Sequence, residues 1–331
     1  MWRLRNETLF AATPSFVRDR AGREVWIVAV KATYAIADDG SLSIHEEQDP
    51  VCIEPVHHGE PGASSLKFDS DVSPTKTGTD VVVVGDAIAP SGMADYVDVL
   101  LGVGPVKKTL RAWGDRVWER RGAGYSPSPP QPFATMPVQY ERAFGGPADP
   151  RNPVGAGLIA DGASPRDLPL PNLEDPRASI SSPLSRPPPM SLGPIAPHWQ
   201  PRVGYGGTYD GDWAEQRMPL VPTDLDDRYY HCVPEEQHVP GFLRGGETVK
   251  VVGMTPDAPL VFELPYLRLG FRTFFTKDSR AHVGCLHTVI IQPNERRVSL
   301  VIHSTLLCQG REHQLEDTVV FVKDRLDLRR A

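Results

Sequence analysis

The first long apolar segment of the chain has the composition of a buried strand. Residues 25–34 are mostly β-branched or aromatic, and polar residues flank them on both sides. Asp38-Asp39-Gly40 then supplies turn chemistry, and residues 42–45 can return beside the first segment. The pattern predicts a β-hairpin near the start of the chain.

Further apolar segments follow at the spacing of consecutive strands. The first consists of four valines ended by Gly85, which favours a strand packed on both faces. Gly104-Pro105 and Gly114-Asp115 separate the later segments as turns. We therefore predict an antiparallel meander in the first third of the chain, with strands at residues 81–84, 96–103, 106–113 and 117–121.

The last third returns to strand patterns. Asn294-Glu295 lies between two apolar segments and predicts a hairpin turn there. Helical turns fit residues 224–230 and 312–317. The strands predicted in this part are residues 247–252, 260–264, 283–291, 298–306 and 318–322.

Proline dominates the middle of the chain, where residues 127–201 hold 19 of the 34 prolines. Such a segment is either a disordered linker or an ordered wrap, and long helices are excluded from it. We favour the wrap, because disordered chains usually lack the aromatic residues found at Phe133, Tyr140, Phe144 and Trp199. The predicted organisation is an N-terminal β region (1–125), a proline-rich crossing segment (126–202) and a C-terminal β region (203–331) within one compact unit.

The predicted fold class is therefore mainly β. We expect antiparallel sheets, sandwich-like or barrel-like, with long ordered proline-rich loops and few short helices.

Charge and composition exclude several classes of protein. The net charge of −7 makes the chain a poor nucleic-acid binder. Its apolar runs fall short of the roughly 20 residues that a membrane-spanning helix requires. The start of the chain has no apolar core typical of a secretory signal, and the four cysteines are far apart, so we expect a cytoplasmic protein with reduced thiols.

Signatures of catalysis and of cofactor binding are scarce. The sequence has no G-x-S-x-G elbow, no H-E-x-x-H helix, no Walker loop and no G-x-G-x-x-G after a strand. The best metal-ligand pair is Cys285 and His287, which alternation places on one face of a strand, with His303 and Cys308 nearby in the sequence pattern. Because this spacing matches no established metal motif, we predict neither a metal nor a cofactor.

Asp69 and Asp71 form a paired-carboxylate pattern of the kind used in general acid–base catalysis. Alternation along an extended chain places both on one face. The same acids can instead be neutralised by Lys67, Lys76 or backbone groups and thus build a loop. We favour the structural role, and predict that Asp69, Asp71 and Arg116 hold the scaffold together.

A series of short motifs in a fixed order resembles the bacterial domain of unknown function (DUF) family 2169. The similarity extends from about Asn6 to Leu264. The motifs are Lys31-Ala32-Thr33-Tyr34, Ser64-Ser65-Leu66-Lys67-Phe68-Asp69-Ser70-Asp71, Pro74-x-Lys76, Thr79-Asp80-Val81-Val82-Val83, Gly114-Asp115-Arg116, Tyr140-Glu141-Arg142-Ala143-Phe144-Gly145-Gly146, Asn152-Pro153-Val154-Gly155, Trp199-x-Pro201-Arg202 and Gly207-Thr208-Tyr209-Asp210.

The resemblance implies an adaptor or chaperone of type VI secretion. Such a protein would bind a toxic effector in the cytoplasm and help load it onto the VgrG spike and PAAR-tip proteins. The alternatives are a glycan hydrolase using Asp69 and Asp71, a metal-dependent hydrolase at Cys285 and His287, and a structural domain of the secreted tip. The family supplies no established catalytic residues.

The motif residues are therefore predicted as framework or partner contacts. Tyr, Arg and Phe dominate interaction hot spots, which favours the segment around residue 142 for partner contact, although its aromatics can equally pin the proline-rich segment to the core. The predicted partner contacts are Tyr140, Glu141, Arg142 and Phe144. The predicted framework residues are Lys31, Ser64, Ser65, Asp69, Asp71, Lys76, Asp80, Asp115, Arg116, Asn152, Arg202, Tyr209 and Asp210.

Overall fold

The computed structural model describes residues 2–256 and 258–323 and confirms a mainly β fold. Strands account for 41% of the residues and helices for 8%. The sheets are open, with a free edge strand on each side, and none of them closes into a barrel.

The strands are numbered β1 to β24 in chain order. The first twelve are β1 Arg3–Asn6, β2 Ala11–Arg18, β3 Glu24–Ile36, β4 Leu42–Ile44, β5 Val56–His57, β6 Leu66–Phe68, β7 Gly78–Val83, β8 Asp86–Ile88, β9 Tyr96–Val103, β10 Val106–Trp113, β11 Trp118–Arg121 and β12 Gly124–Pro127. The others are β13 Thr135–Pro137, β14 Phe144–Gly145, β15 Ala156–Gly157, β16 Leu173–Glu174, β17 His238–Pro240, β18 Thr248–Val252, β19 Leu260–Glu263, β20 Leu269–Phe275, β21 Ser279–Val283, β22 Cys285–Gln292, β23 Arg297–Leu307 and β24 Leu315–Val322.

Helical structure is short throughout the described residues. Helix α1 spans Gly211–Gln216, a segment that the sequence patterns did not predict as helical. Of the two predicted helical turns, one is the 3₁₀ turn Asp227–Tyr230; the other covers only Glu312–Gln314, because β24 begins at Leu315. The remaining 3₁₀ turns are Tyr140–Arg142, Arg202–Tyr205, Glu235–Gln237 and Pro293–Glu295.

A seven-stranded sheet forms the centre of the fold. Six strands follow the order β17-β7-β22-β23-β3-β2, and β4 pairs with the end of β3. The predicted N-terminal hairpin and the hairpin turned at Asn294-Glu295 are both present, as β3–β4 and β22–β23. Strands β3, β7, β22 and β23 are buried along most of their length, which explains their continuous apolar sequences.

The antiparallel meander predicted for the first third is present only at β9 and β10, which pair antiparallel with each other. Strand β7 runs parallel to β22 in the seven-stranded sheet, whereas β9 and β10 belong to a separate five-stranded sheet of order β16-β10-β9-β18-β19. Apolar patterns mark where strands lie, but they do not specify distant pairing partners. The chain therefore changes sheet between strands that are neighbours in sequence.

The five-stranded sheet has one buried and one exposed face. In β9, Val97, Val99, Leu101 and Val103 point inward, and the residues between them face outward. A four-stranded sheet of order β1-β24-β20-β21 completes the main architecture. The sequence patterns missed β20 and all of β21 except Val283. Strand β21 is a polar edge strand whose alternate residues are exposed.

The proline-rich segment is an ordered wrap, as predicted. Tyr140, Met190, Leu192 and Trp199 join the main hydrophobic cluster, which also contains inward residues of all three large sheets. A smaller cluster places Phe144, among others, against Trp118. Residues from each of the three predicted regions therefore meet in one core.

Candidate functional site

A row of polar side chains crosses one face of the seven-stranded sheet. The register pairs Asp80 on β7 with Thr288 on β22, Thr288 with Val301 on β23, and Val301 with Lys31 on β3. Residues paired across neighbouring strands point to the same face. The opposite face belongs to the main core, so the loops preceding β7 and β17 cover this charged row.

Lys31 and Asp71 form a buried ion pair at one end of this row. The Lys31 Nζ atom lies 3.0 Å from the Asp71 carboxylate, and both side chains are almost fully inaccessible. The backbone N–H of Cys52 donates to the same carboxylate at 2.8 Å. Burial alone would lower the pKa of Lys31, but the charge and hydrogen bond of Asp71, together with the charges of Cys52 and Asp49, outweigh burial and raise that pKa.

Asp80, at the other end, has no solvent exposure and four hydrogen-bond donors. Lys76 Nζ and the Cys232 N–H donate to Oδ2 at 2.7 and 2.9 Å. His231 and His238 each direct Nδ1 at Oδ1, at 2.7 and 3.2 Å, and an ionised carboxylate requires both nitrogens to donate. Burial opposes ionisation, but these donors outweigh it and hold the pKa of Asp80 well below its usual range.

Asp69 pairs with a third cation, the guanidinium of Arg202, at 2.7 Å. The other donors of Arg202 bind the backbone carbonyls of Tyr229 and Ile195, each at 2.8 Å. The guanidinium thus ties residues 69, 195 and 229 together. Burial alone would lower the pKa of Arg202, whereas the charge of Asp69 raises it. The net shift of this pKa is upward.

These groups form what we call the buried ionic cluster. It contains three carboxylates, three basic side chains and two histidines, so its formal charges balance. Every one of its six charged members belongs to a motif recognised in the sequence. The cluster consists of Lys31, Asp69, Asp71, Lys76, Asp80, Arg202, His231 and His238.

The pairing corrects the expectation of a shared carboxylate face at residues 69 and 71. Asp69 contacts Arg202, whereas Asp71 contacts Lys31, because the loop after β6 directs the two carboxylates to different cations. Each is largely buried and already accepts charged donors. The arrangement stabilises loops on the sheet and offers no carboxylate pair to a substrate.

Two groupings bear on metal binding. Ligand atoms of Asp80, His231 and His238 lie within 4.8 Å of one another, the one such group of three found among the described residues. Lys76 contacts the same carboxylate, so an added cation would be repelled and would displace two imidazole donors. The donors present already neutralise Asp80 without a metal ion.

Cys285 and His287 lie in a different environment. A β-bulge between Leu286 and Thr288 interrupts the alternation on which their shared face was predicted. His287 is buried and stacks between Phe242 and His303, at ring-centroid distances of 5.7 and 4.5 Å. Within the described residues, Cys285 joins no group of three metal-ligand side chains.

Asp115 and Arg116 also form ion pairs, but with residues outside the 114–116 motif and not with each other. Arg116 is buried and contacts Glu174 at 2.5 Å and the Pro171 carbonyl at 3.1 Å. Asp115 is exposed and accepts from Asn172 at 2.9 Å. These contacts attach the proline-rich segment to the turn after β10.

The predicted partner-contact segment is mostly buried. Tyr140 packs edge-on against Trp199, and Phe144 lies in the cluster around Trp118, so both aromatics pin the proline-rich segment and neither is exposed to a partner. The Glu141 carboxylate accepts from the Ser65 N–H and hydroxyl, each at 2.6 Å. Only Arg142 among the four has an exposed side chain, 3.5 Å from Asp115.

The other framework residues divide into buried and exposed groups. Asn152 is fully buried and donates to the carbonyls of Tyr140 and Phe144, at 2.7 and 3.0 Å. Ser64 closes a loop by donating to the Glu60 carbonyl. Asp210 caps helix α1 by accepting from the Trp213 N–H. Tyr209 is exposed and packs edge-on against Trp213.

Sequence patterns missed several members of these networks. His231, His238 and Glu174 are not among the residues predicted from the sequence. Lys108 occupies an inward position of β10, donates to Gln237 at 2.8 Å, and has a pKa lowered by burial to about 8. A lysine at an inward position of an alternating strand was the signal that could have found it.

The fold and the cluster define a class of β protein in which open sheets are joined by a proline-rich wrap and a buried ionic cluster. The chain belongs to a bacterial family described as "Uncharacterized protein conserved in bacteria (DUF2169)", whose model matches residues 21–303. The match extends beyond the motifs into β23. No curated protein and no solved structure shows significant similarity. No helix in the described ranges has the length and apolarity needed to cross a membrane.

Proposed function

We propose that this protein is a cytoplasmic adaptor or chaperone of type VI secretion. It would bind a toxic effector and help load it onto the VgrG spike and PAAR-tip proteins. The observation that carries the proposal is that the charged side chains of the motifs pair with one another inside the protein. Lys31, Asp71 and Asp80 and the other charged members of the buried ionic cluster contact one another rather than an open cleft.

This distribution of charge favours binding over catalysis. A catalytic site needs acids, bases or nucleophiles that reach a substrate, and such groups carry the chemistry of the reaction. In this chain the corresponding residue types hold loops on a sheet. A rigid scaffold of this kind presents its surfaces with little ordering cost on binding, which is the requirement of an adaptor.

The open sheets supply surfaces for protein contact. Strands β19 and β21 lie at sheet edges, and an edge strand can accept an extended segment of another chain. Val261 on β19 and Val283 on β21 are exposed apolar side chains at those edges. These features support recognition of a polypeptide partner.

The proposal is tested by capture of the proteins encoded beside this chain. The tagged protein, expressed with the neighbouring effector and spike proteins, is expected to co-purify with both from cell lysate. It is expected to be missing from culture supernatant after secretion. Recovery in the supernatant with the spike would instead identify a structural domain of the secreted tip, and no capture of either protein would contradict the adaptor role.

Arg142 is the remaining predicted contact that a partner can reach. Arg142→Ala removes a surface ion pair with Asp115, worth about 0–1 kcal/mol, and a 3.3 Å hydrogen bond to Asn172, so we expect a nearly unchanged thermal melt and weaker capture of effector or spike. Arg121→Ala, at another exposed arginine, is the matched control. Undiminished capture by the Arg142 variant would remove this residue from the interface, and a lowered melting temperature would assign it to the scaffold.

A further inference from the structure

An apolar groove lies where the four-stranded sheet meets the seven-stranded sheet. Its volume is about 560 Å³, within the range of ligand-binding clefts. One wall is the loop at residues 241–245, and another is the segment at residues 265–269. The chain crosses between the two sheets beside it at Gly284, where a Cβ atom would lie 2.5 Å from Ile302.

The floor of this groove is made of aliphatic side chains from both sheets. Leu269 comes from β20, Leu286 from β22, and Leu300 and Ile302 from β23. Val283, at the end of β21, is 64% exposed beside them. An aliphatic side chain of a partner would lose its hydration on this floor, which is the main source of affinity in such sites.

The rim of the groove is basic. Arg244 and Arg268 are exposed and Lys323 is half-buried, and no acidic side chain occurs among the described residues that line the groove. None of these three cations forms an ion pair with another described residue. A chain with a net charge of −7 thus places three basic side chains, and no acidic one, among the described residues that line this groove.

We propose that this basic-rimmed groove binds an acidic, leucine-rich peptide segment of a partner protein. In an extended peptide, alternate side chains point to opposite sides, so leucines can enter the floor while carboxylates contact the rim. The identity of the partner as the effector rests on the adaptor function proposed above. The chemistry of the groove does not depend on it.

The test uses synthetic peptides and the full-length protein. A fluorescein-labelled peptide of alternating leucine and glutamate is expected to bind in fluorescence anisotropy. Two comparison peptides separate the contributions: one replaces glutamate by lysine, and the other replaces leucine by serine. Both are expected to bind at least about tenfold more weakly, because each lacks one of the two complementary features.

Charge reversal at the rim locates the binding. The double variant Arg244→Glu/Arg268→Glu changes two exposed side chains and is expected to weaken binding of the leucine–glutamate peptide by about tenfold or more. Arg272→Glu is the matched control, since Arg272 is exposed on β20 but does not line the groove. Its affinity for the peptide is expected to equal that of the wild type.

Three results would overturn the proposal: no binding of the leucine–glutamate peptide, equal binding of the lysine peptide, or full affinity in the Arg244/Arg268 variant. Capture of the neighbouring effector is measured separately with the same variants. Peptide binding without effector capture by the wild-type protein would contradict the adaptor role and leave the groove assignment intact. Effector capture that persists in the double variant would place the effector elsewhere.

Discussion

At the scale of single residues, charged side chains stabilise the interior only in pairs. Each member of the buried ionic cluster has given up water, and the opposite charge compensates for that loss. Removing one partner leaves the other charge buried without compensation. This lowers the free energy of unfolding more than replacing both partners by apolar side chains would. The motif residues therefore act together, and single substitutions reveal that dependence.

We expect Asp71→Ala to lower the free energy of unfolding by about 3–5 kcal/mol, because Lys31 would stay buried without its carboxylate. Urea denaturation followed by tryptophan fluorescence measures the change. Asp210→Ala is the control: it removes an exposed helix cap and should cost only about 1 kcal/mol. A wild-type melt for Asp71→Ala, combined with lost activity on a substrate, would favour the enzyme alternative.

Buried histidines should make the fold sensitive to mild acid. Burial lowers the pKa of His303 to about 4 and of His287 to about 2, against about 6.5 for an unfolded histidine. Below pH 6.5 the unfolded chain therefore binds protons that the folded chain does not. The contribution of these two histidines to the free energy of unfolding should be constant at higher pH and fall by up to about 1.4 kcal/mol per pH unit for each histidine below pH 6.5.

The measurement is the urea midpoint at pH 7.5, 6.0 and 5.0. His287→Phe keeps an aromatic ring beside Phe242 and should reduce the slope between pH 6.5 and 5.0. If the pH dependence of the urea midpoint is the same in this variant as in the wild type, the acid sensitivity comes from other groups. Asp80 contributes little to this slope, since its pKa in the folded protein and that of an ordinary aspartate both lie below pH 5.0.

At the scale of elements, the strand patterns predicted positions better than partners. Residues 96–103 and 106–113 coincide with β9 and β10. Apolar and polar residues alternate in these strands because one face of the sheet is buried and the other is exposed. The parallel pairing of β7 with β22 joins residues about 200 positions apart in sequence, and no local pattern encodes it. In the polar edge strand β21, only Val283 falls within a predicted strand, residues 283–291.

The loop carrying Asn152 depends on close approach of its own backbone. A Cβ atom on Gly155 would lie 2.2 Å from Asn152 Nδ2 and 2.8 Å from the Ala143 carbonyl oxygen. We expect Gly155→Ala to destabilise the protein by about 1–3 kcal/mol and to expose residues 126–202 to limited proteolysis. Gly124→Ala, where nothing lies within 4 Å, should leave the digestion pattern unchanged. Equal protection of both variants would contradict this account.

At the scale of the whole molecule, the candidate site could be predicted in part. The motifs identified the six charged residues of the buried ionic cluster as framework positions. Their pairing was not predictable, because Lys31 and Asp71 are 40 residues apart and Asp80 and His231 are 151 apart. Such contacts form only after distant strands and loops have packed.

The main hydrophobic cluster predicts cooperative unfolding of the whole chain. It draws on the N-terminal region, the proline-rich segment and the C-terminal region together. Thermal unfolding followed by tryptophan fluorescence, which reports on Trp26 and Trp199 in different regions, should coincide with the loss of circular dichroism. Separate transitions for the two signals would show that the regions unfold independently.

The position of the β22–β23 hairpin determines when the central sheet can form during synthesis. This hairpin lies between β7 and β3, which are made long before it and do not pair with each other. Until the ribosome has released residues beyond 307, both early strands expose apolar edges. Formation of the central sheet is therefore expected to wait until β23 has been made, and the nascent protein should depend on holding chaperones until then.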